Sequence, residues 1–175
     1  MDFKLLLLNK EDLLLFKNDM QEAFQKGFED VYGKTEGTIL PEKDIDNSLN
    51  TKGALAYKAV VNNKIVGGAI VVINKETQHN ELHFLYVKYG VQTRGIGKMI
   101  WDEIETLHPD TIVWETCTPC FEKRNIHFYV NKCGFKIDQF WCEFFHPEHE
   151  IFEDKKHDSN EGPDEMFRFI KVMKP

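Results

Sequence analysis

Hydrophobic positions in this chain recur with two periods, and the change from one to the other predicts the order of its elements. Phe3 to Leu8, Ala54 to Val61 and Ile65 to Ile73 have the dense apolar content of strands. Between the last two, Asn62-Asn63-Lys64 carries the turn chemistry of a hairpin. From Glu11 to Tyr32 the period lengthens. Leu14, Met20, Phe24 and Phe28 approximate one helical face, and Pro41 to Leu49 predicts a second helix. Strands are expected again over Glu81 to Val87, Ile112 to Cys117, Phe135 to Phe145 and Met166 to Val172. A helix through Ile100, Ile104 and Leu107 stops at Pro109, and a short one spans Arg124 to Lys132. Gly67-Gly68, inside the third strand, marks a bulge or the close approach of another backbone. His146 to Asp164 is polar and acidic, and longer than an ordinary hairpin connection. No internal repeat is present.

The turn after the fourth strand carries the first chemical signal. Gln92-Thr93-Arg94-Gly95-Ile96-Gly97-Lys98 joins an apolar strand to a helix, and a helix start presents backbone N–H groups without intrahelical partners. The macrodipole is positive there, Arg94 and Lys98 add charge, and glycines at 95 and 97 leave room for an anion to approach the backbone. Two phosphate loops are excluded by spacing. A Walker A loop needs Ser or Thr after Gly-Lys, whereas Gly97-Lys98 is followed by Met99. A dinucleotide fingerprint needs a third small residue, and Gly97-Lys98-Met99 runs into Ile100 instead.

Composition narrows the class. The 175 residues suffice for one domain, expected over 1–175, with a sizeable core. An apolar fraction of 42% and a charged fraction of 29% are those of a soluble globular protein. Fourteen phenylalanines suit a sheet covered on both faces by helices. The formal charge of −7 argues against a nucleic-acid partner and agrees either with a cationic one or with plain solubility. No apolar run has membrane-spanning length, and Leu5-Leu6-Leu7-Leu8 is too short for a secretion signal, so no membrane partner and a cytoplasmic location are expected. Cys117-Thr118-Pro119-Cys120 has the spacing of a redox or zinc pair, but no second pair follows. Cys142, His146 and His149 are the remaining ligand candidates, and thiols near a strand end, without metal, are the expected reading.

The element order, together with Gln-x-Arg-Gly-x-Gly starting five residues after Val87, resembles the GNAT superfamily of N-acetyltransferases over nearly the whole chain. The implied fold is α/β (α+β): a central mixed, mostly antiparallel twisted sheet of about seven strands with helices on both faces. Glu81 stands six residues before Val87, as the general-base glutamate does in GNAT histone acetyltransferases. Asn125, Phe128-Tyr129 and Cys133-Gly134-Phe135 look like the family's Asn…Tyr…Gly-Phe segment. The family tyrosine commonly stands four residues before that glycine, where this chain has Val130, while Tyr129 stands five before it. One residue turns a helical side chain by ~100°, so a helix distortion near Asn131 is needed to restore the aim of the hydroxyl.

The resemblance implies acetyl-CoA as co-substrate, wedged between the splayed fourth and fifth strands. Backbone groups around Leu85, Tyr86 and Val87 would hold the pantetheine and polarise the thioester carbonyl. Residues 92–98 (Gln92, Thr93, Arg94, Gly95, Ile96, Gly97, Lys98) would hold the pyrophosphate, and Asn125 would lie near the pantetheine. A primary amine of a small molecule or protein would attack directly. If the fourth strand has no bulge, alternation puts Glu81, His83, Leu85 and Val87 on one face, so either Glu81 or His83 can take the amine's proton. Tyr129 is the candidate to meet the leaving thiolate. The alternative function is an acyl-CoA sensor without turnover. The acceptor site is expected from Glu11 to Leu49 and His146 to Asp164, whose carboxylates would attract a cationic amine or simply stay solvated. Exposed strand edges make a homodimer a further expectation.

Overall fold

The strands among the described residues are β1 (Phe3–Leu7), β2 (Ala54–Val61), β3 (Lys64–Val72), β4 (His79–Val87), β5 (Val113–Pro119), β6 (Lys136–Trp141) and β7 (Met166–Val172). In the computed structural model, which describes residues 1–91, 94–142, 144–145 and 165–174, they form one sheet in the order β1-β2-β3-β4-β5-β7-β6. Only β4 and β5 run parallel; every other neighbouring pair is antiparallel. The mixed, mostly antiparallel seven-stranded sheet is therefore the one expected.

Helices α1 (Leu13–Tyr32) and α2 (Glu42–Asn50) cover one face. Phe16 and Met20 of α1, with Ile45 of α2 and Leu40 just before it, bury themselves on Ile70 and Tyr86 of the sheet. Helix α3 (Ile96–Leu107) covers the other face. Its stripe of Ile96, Ile100, Trp101 and Ile104 repeats at helical spacing and packs on Leu82, Trp114, Phe135 and Phe169. Each of these large side chains adds roughly 1.5–3 kcal/mol by leaving water. Side chains of both layers press on the sheet at Gly67-Gly68, Ile100 from α3 and Phe16 from α1. A Cβ at Gly67 would lie 2.4 Å from the Tyr86 carbonyl oxygen, and one at Gly68 2.5 Å from the Phe16 ring. A register shift between Ala59 and Val60 places a bulge beside them, so both halves of the glycine expectation hold.

Several boundaries differ from the sequence pattern. β5 runs on to Pro119, so Cys117 lies inside the strand, and β6 stops at Trp141, followed by an isolated bridge between Cys142 and Phe145. The expected single helix from Arg124 to Lys132 is two segments: α4 (Lys123–His127) and a π-helical turn (Phe128–Lys132). The acidic stretch 146–164, with His146 and His149, lies outside the described residues.

Candidate active site

Parallel pairing between β4 and β5 covers only His79–Glu81 against Val113–Glu115. Beyond Glu81 and Glu115 the strands part. At the first position of the fork the Thr116 hydroxyl donates to the Leu82 carbonyl at 2.9 Å, in place of a backbone bond. A strand edge freed of its ladder has N–H and C=O groups available to a ligand.

A bulge in β4 decides what faces the fork. Leu82 pairs with Val71 and Phe84 with Ile70, so His83 is the extra residue. The expected shared face of Glu81, His83, Leu85 and Val87 is thereby corrected. Glu81 and His83 lie on the α1/α2 side together with Phe84, which packs edge-on against Phe24, and Tyr86, which packs edge-on against Phe16. Leu85 and Val87 pack into the α3-side core. The physical reason is that one unpaired residue resets the period-2 alternation.

On the α1/α2 side the polar groups form two chains. His83 Nε2 lies 2.9 Å from Glu81 Oε2, and His83 Nδ1 lies 2.7 Å from the Ser48 hydroxyl of α2. The Glu81 side chain is 35% exposed and that of His83 only 11%. Beside them, Arg168 of β7 donates to both Glu115 of β5 and Asp138. Cys117 shares this side, and burial, reinforced by the nearby carboxylates, pushes its thiol up to about 12.

On the α3 side, Tyr129 is buried against Phe135 and Phe169, with ring centroids 5.7 and 5.5 Å away. Burial raises its hydroxyl to about 12, with the neighbouring Thr116 hydroxyl pulling the other way. The π-helical turn Phe128–Lys132 supplies the distortion that the extra residue before Gly134 calls for. The Asn125 amide donates to the Thr118 hydroxyl at 3.3 Å, tying α4 to β5.

At the start of α3, Gly95 is the left-handed N-cap residue, with φ +85°, and no side chain caps the helix. The first helical bond runs from Met99 N–H to the Gly95 carbonyl, so the N–H groups of Ile96, Gly97 and Lys98 have no intrahelical acceptor. Gly97 serves packing: a Cβ there would lie 3.3 Å from the Phe128 ring. Lys98 pairs with Asp102 along the helix, and Arg94 is exposed. Gln92 and Thr93 lie outside the described residues. Among the described residues no cluster of three or more His, Cys, Asp or Glu is placed to hold a metal, and no helix is long and apolar enough to cross a membrane.

Ser48, Thr116, Glu115 and Arg168 were not singled out in the sequence. Each is defined by a partner far along the chain, 35 residues away for Ser48 and 53 for the Glu115–Arg168 pair, so no local pattern reports it.

Known proteins share both pattern and fold. The model of the acetyltransferase (GNAT) family matches residues 17–135. An uncharacterised Bacillus subtilis (strain 168) protein, YrkN, is 44% identical over 172 residues, 96% of this chain and 92% of its own. The ribosomal-protein-S18-alanine N-acetyltransferase of Escherichia coli superposes with a TM-score of 0.70 at 12% identity, over 99% of this chain and 96% of that one. The PaiA N-acetyltransferase of Thermoplasma acidophilum, solved with coenzyme A, gives 0.66 at 18% identity, over 98% and 99%.

Proposed function

Since this chain belongs to the acetyltransferase (GNAT) family, we propose that it is an acetyl-CoA-dependent N-acetyltransferase acting on a primary amine of a small molecule or protein. Family and neighbours support acetyl transfer in general; the observation that carries the finer reading is the fork, with a carboxylate on one side and a buried phenol on the other.

The residues present fit the co-substrate. The uncapped N–H groups of Ile96, Gly97 and Lys98 suit the pyrophosphate, with Arg94 just before them in the chain. The free edge of β4 around Leu85, Tyr86 and Val87 suits the pantetheine amides, with Asn125 of α4 bonded to Thr118 on the other strand of the fork. When bound, acetyl-CoA supplies a thioester already activated toward amines.

Glu81 takes the proton of the acceptor amine, entering from the α1/α2 side, and passes it to solvent through its half-exposed carboxylate. His83 holds that carboxylate in place. Across the sheet, the Tyr129 hydroxyl stays protonated at neutral pH. It is a weaker acid than a thiol of ~8.5, so its contribution to the leaving sulfur is a hydrogen bond in preference to a full proton transfer. Cys117 sits close to the base, but a thiol raised to about 12 is no nucleophile at neutral pH, which favours direct attack over an acyl-cysteine. A cytoplasmic, homodimeric enzyme without metal is the setting we propose.

Release of free thiol from acetyl-CoA, measured against a panel of primary amines, tests the reading. Turnover with at least one amine is expected. Calorimetric binding of acetyl-CoA without thiol release across the panel would mark a sensor, and absence of binding would remove the assignment of the fork.

A further inference from the structure

We propose that Ser48 is a positioning residue for the base, acting through His83; this rests on the acetyltransferase reading above. Three observations carry it. Ser48 Oγ, His83 Nδ1, His83 Nε2 and Glu81 Oε2 form a continuous chain with steps of 2.7 and 2.9 Å. Exposure rises along it, from 5% for Ser48, through 11% for the His83 side chain, to 35% for that of Glu81. His83 is also the bulged residue of β4, so the strand ladder holds it less firmly than its neighbours.

The chemistry sets the direction of each bond. An ionised carboxylate only accepts, so His83 Nε2 carries the proton and donates to Glu81. Nδ1 of the neutral ring is then an acceptor, and the Ser48 hydroxyl donates to it. Glu81 thereby selects the Nε2–H tautomer, and the bond between Ser48 and Nδ1 fixes the orientation of the ring. Among the described residues Glu81 is bonded through Oε2, so the amine is met by Oε1. When the amine reacts, its N–H bond breaks and an O–H bond forms at Oε1; Oε2 keeps its bond from Nε2–H. Ser48 is too buried to meet a thioester itself, so its part is orientation and not nucleophilic attack.

Because Ser48 belongs to α2, the arrangement also makes the base depend on the seat of that helix. Ile45, fully buried one turn earlier, anchors it.

The test uses the full chain labelled with 15N-histidine, as wild type, Ser48→Ala and Ser48→Thr, each checked for an unchanged melting curve. In wild type, two-bond proton–nitrogen spectra should show His83 as a single Nε2–H tautomer. In Ser48→Ala the tautomer should persist, because Glu81 still accepts from Nε2–H, but the Nδ1 resonance should move as its hydrogen bond is lost, and Ser48→Thr should restore the wild-type shift. With an amine from the panel, kcat in Ser48→Ala should fall about 2- to 10-fold, the value of one hydrogen bond, with KM for acetyl-CoA unchanged. Unchanged His83 nitrogen shifts in Ser48→Ala would overturn the proposal, as would a loss confined to KM. If wild type turns over no amine, the acetyltransferase reading fails while the spectra still decide what Ser48 does to His83.

Discussion

The two sides of the β4–β5 fork arise from the same alternating strands and differ in what covers them. On the α1/α2 side, polar groups are bonded to one another and the carboxylates among them are partly exposed, Glu81 to His83 to Ser48 and Arg168 to Glu115 and Asp138. On the α3 side, Trp101, Trp114, Phe135 and Phe169 exclude water, and the polar groups at the fork are the uncharged hydroxyls of Thr116, Thr118 and Tyr129. The difference shows how one break in a sheet can place a proton acceptor and a proton holder back to back. A carboxylate near water can ionise and discharge, whereas a phenol buried among rings keeps its proton up to about 12.

The comparison is broken most severely at Glu81. Glu81→Gln keeps shape and hydrogen bonding but removes the acceptor, so kcat should fall by ~10²–10⁴-fold. Calorimetry should find acetyl-CoA binding unchanged. A larger loss in His83→Ala than in Glu81→Gln would transfer the role to the imidazole.

On the opposite side, Tyr129→Phe retains the ring contacts with Phe135 and Phe169 and deletes only the hydroxyl. We expect kcat to drop about 10- to 100-fold, below the loss typical of an oxyanion-hole donor. A pH–stability series adds a second readout. A hydroxyl whose pKa is raised on folding contributes stability in full below its unfolded value of ~10 and loses it as pH rises toward the folded value of about 12. Wild type should therefore lose stability over that window relative to Tyr129→Phe. Parallel curves would mean the hydroxyl is not shielded as the α3 side implies.

A sharper test lies in the π-helical turn. Deleting exposed Asn131 should let the turn close as ordinary α-helix while Tyr129 keeps its place, so kcat/KM should stay within about 5-fold of wild type. A loss matching Tyr129→Phe would show that the turn aims the hydroxyl some other way.

The smallest effect is expected at Cys117. Cys117→Ala should leave kcat within about 3-fold, and iodoacetamide should label Cys117 slowly at neutral pH, because its raised pKa keeps the thiolate scarce. Accumulation of an acetylated cysteine by mass spectrometry would replace direct attack with a covalent route and erase the division of labour between the sides.

Much of this was legible in the chain. The strand from Ala54 to Val61, the helix ending at Tyr32 and the last strand from Met166 to Val172 coincide with their apolar patterns at those bounds. The glycine turn likewise opens α3, and Gly95 takes the left-handed backbone that glycine favours. At Gly97 the structure adds a second reason for glycine, since a Cβ there would lie 3.3 Å from the Phe128 ring. Alternation along β4 breaks before Leu85 and Val87, and nothing in Leu82-His83-Phe84 distinguishes a regular strand from a bulged one.

The sequence by itself determined the element order, the family resemblance, the candidate base and phenol, and the helix start suited to a phosphate. These are local: periodicity, turn chemistry and spacing lie within a few residues of one another. Tertiary structure alone decided which side of the sheet Glu81 and Tyr129 occupy, that β4 and β5 part after Glu81 and Glu115, and that Ser48 and Arg168 join the site. A bulge is set by what the neighbouring strand pairs with, and a hydrogen bond across 35 residues exists only once α2 is seated on the sheet.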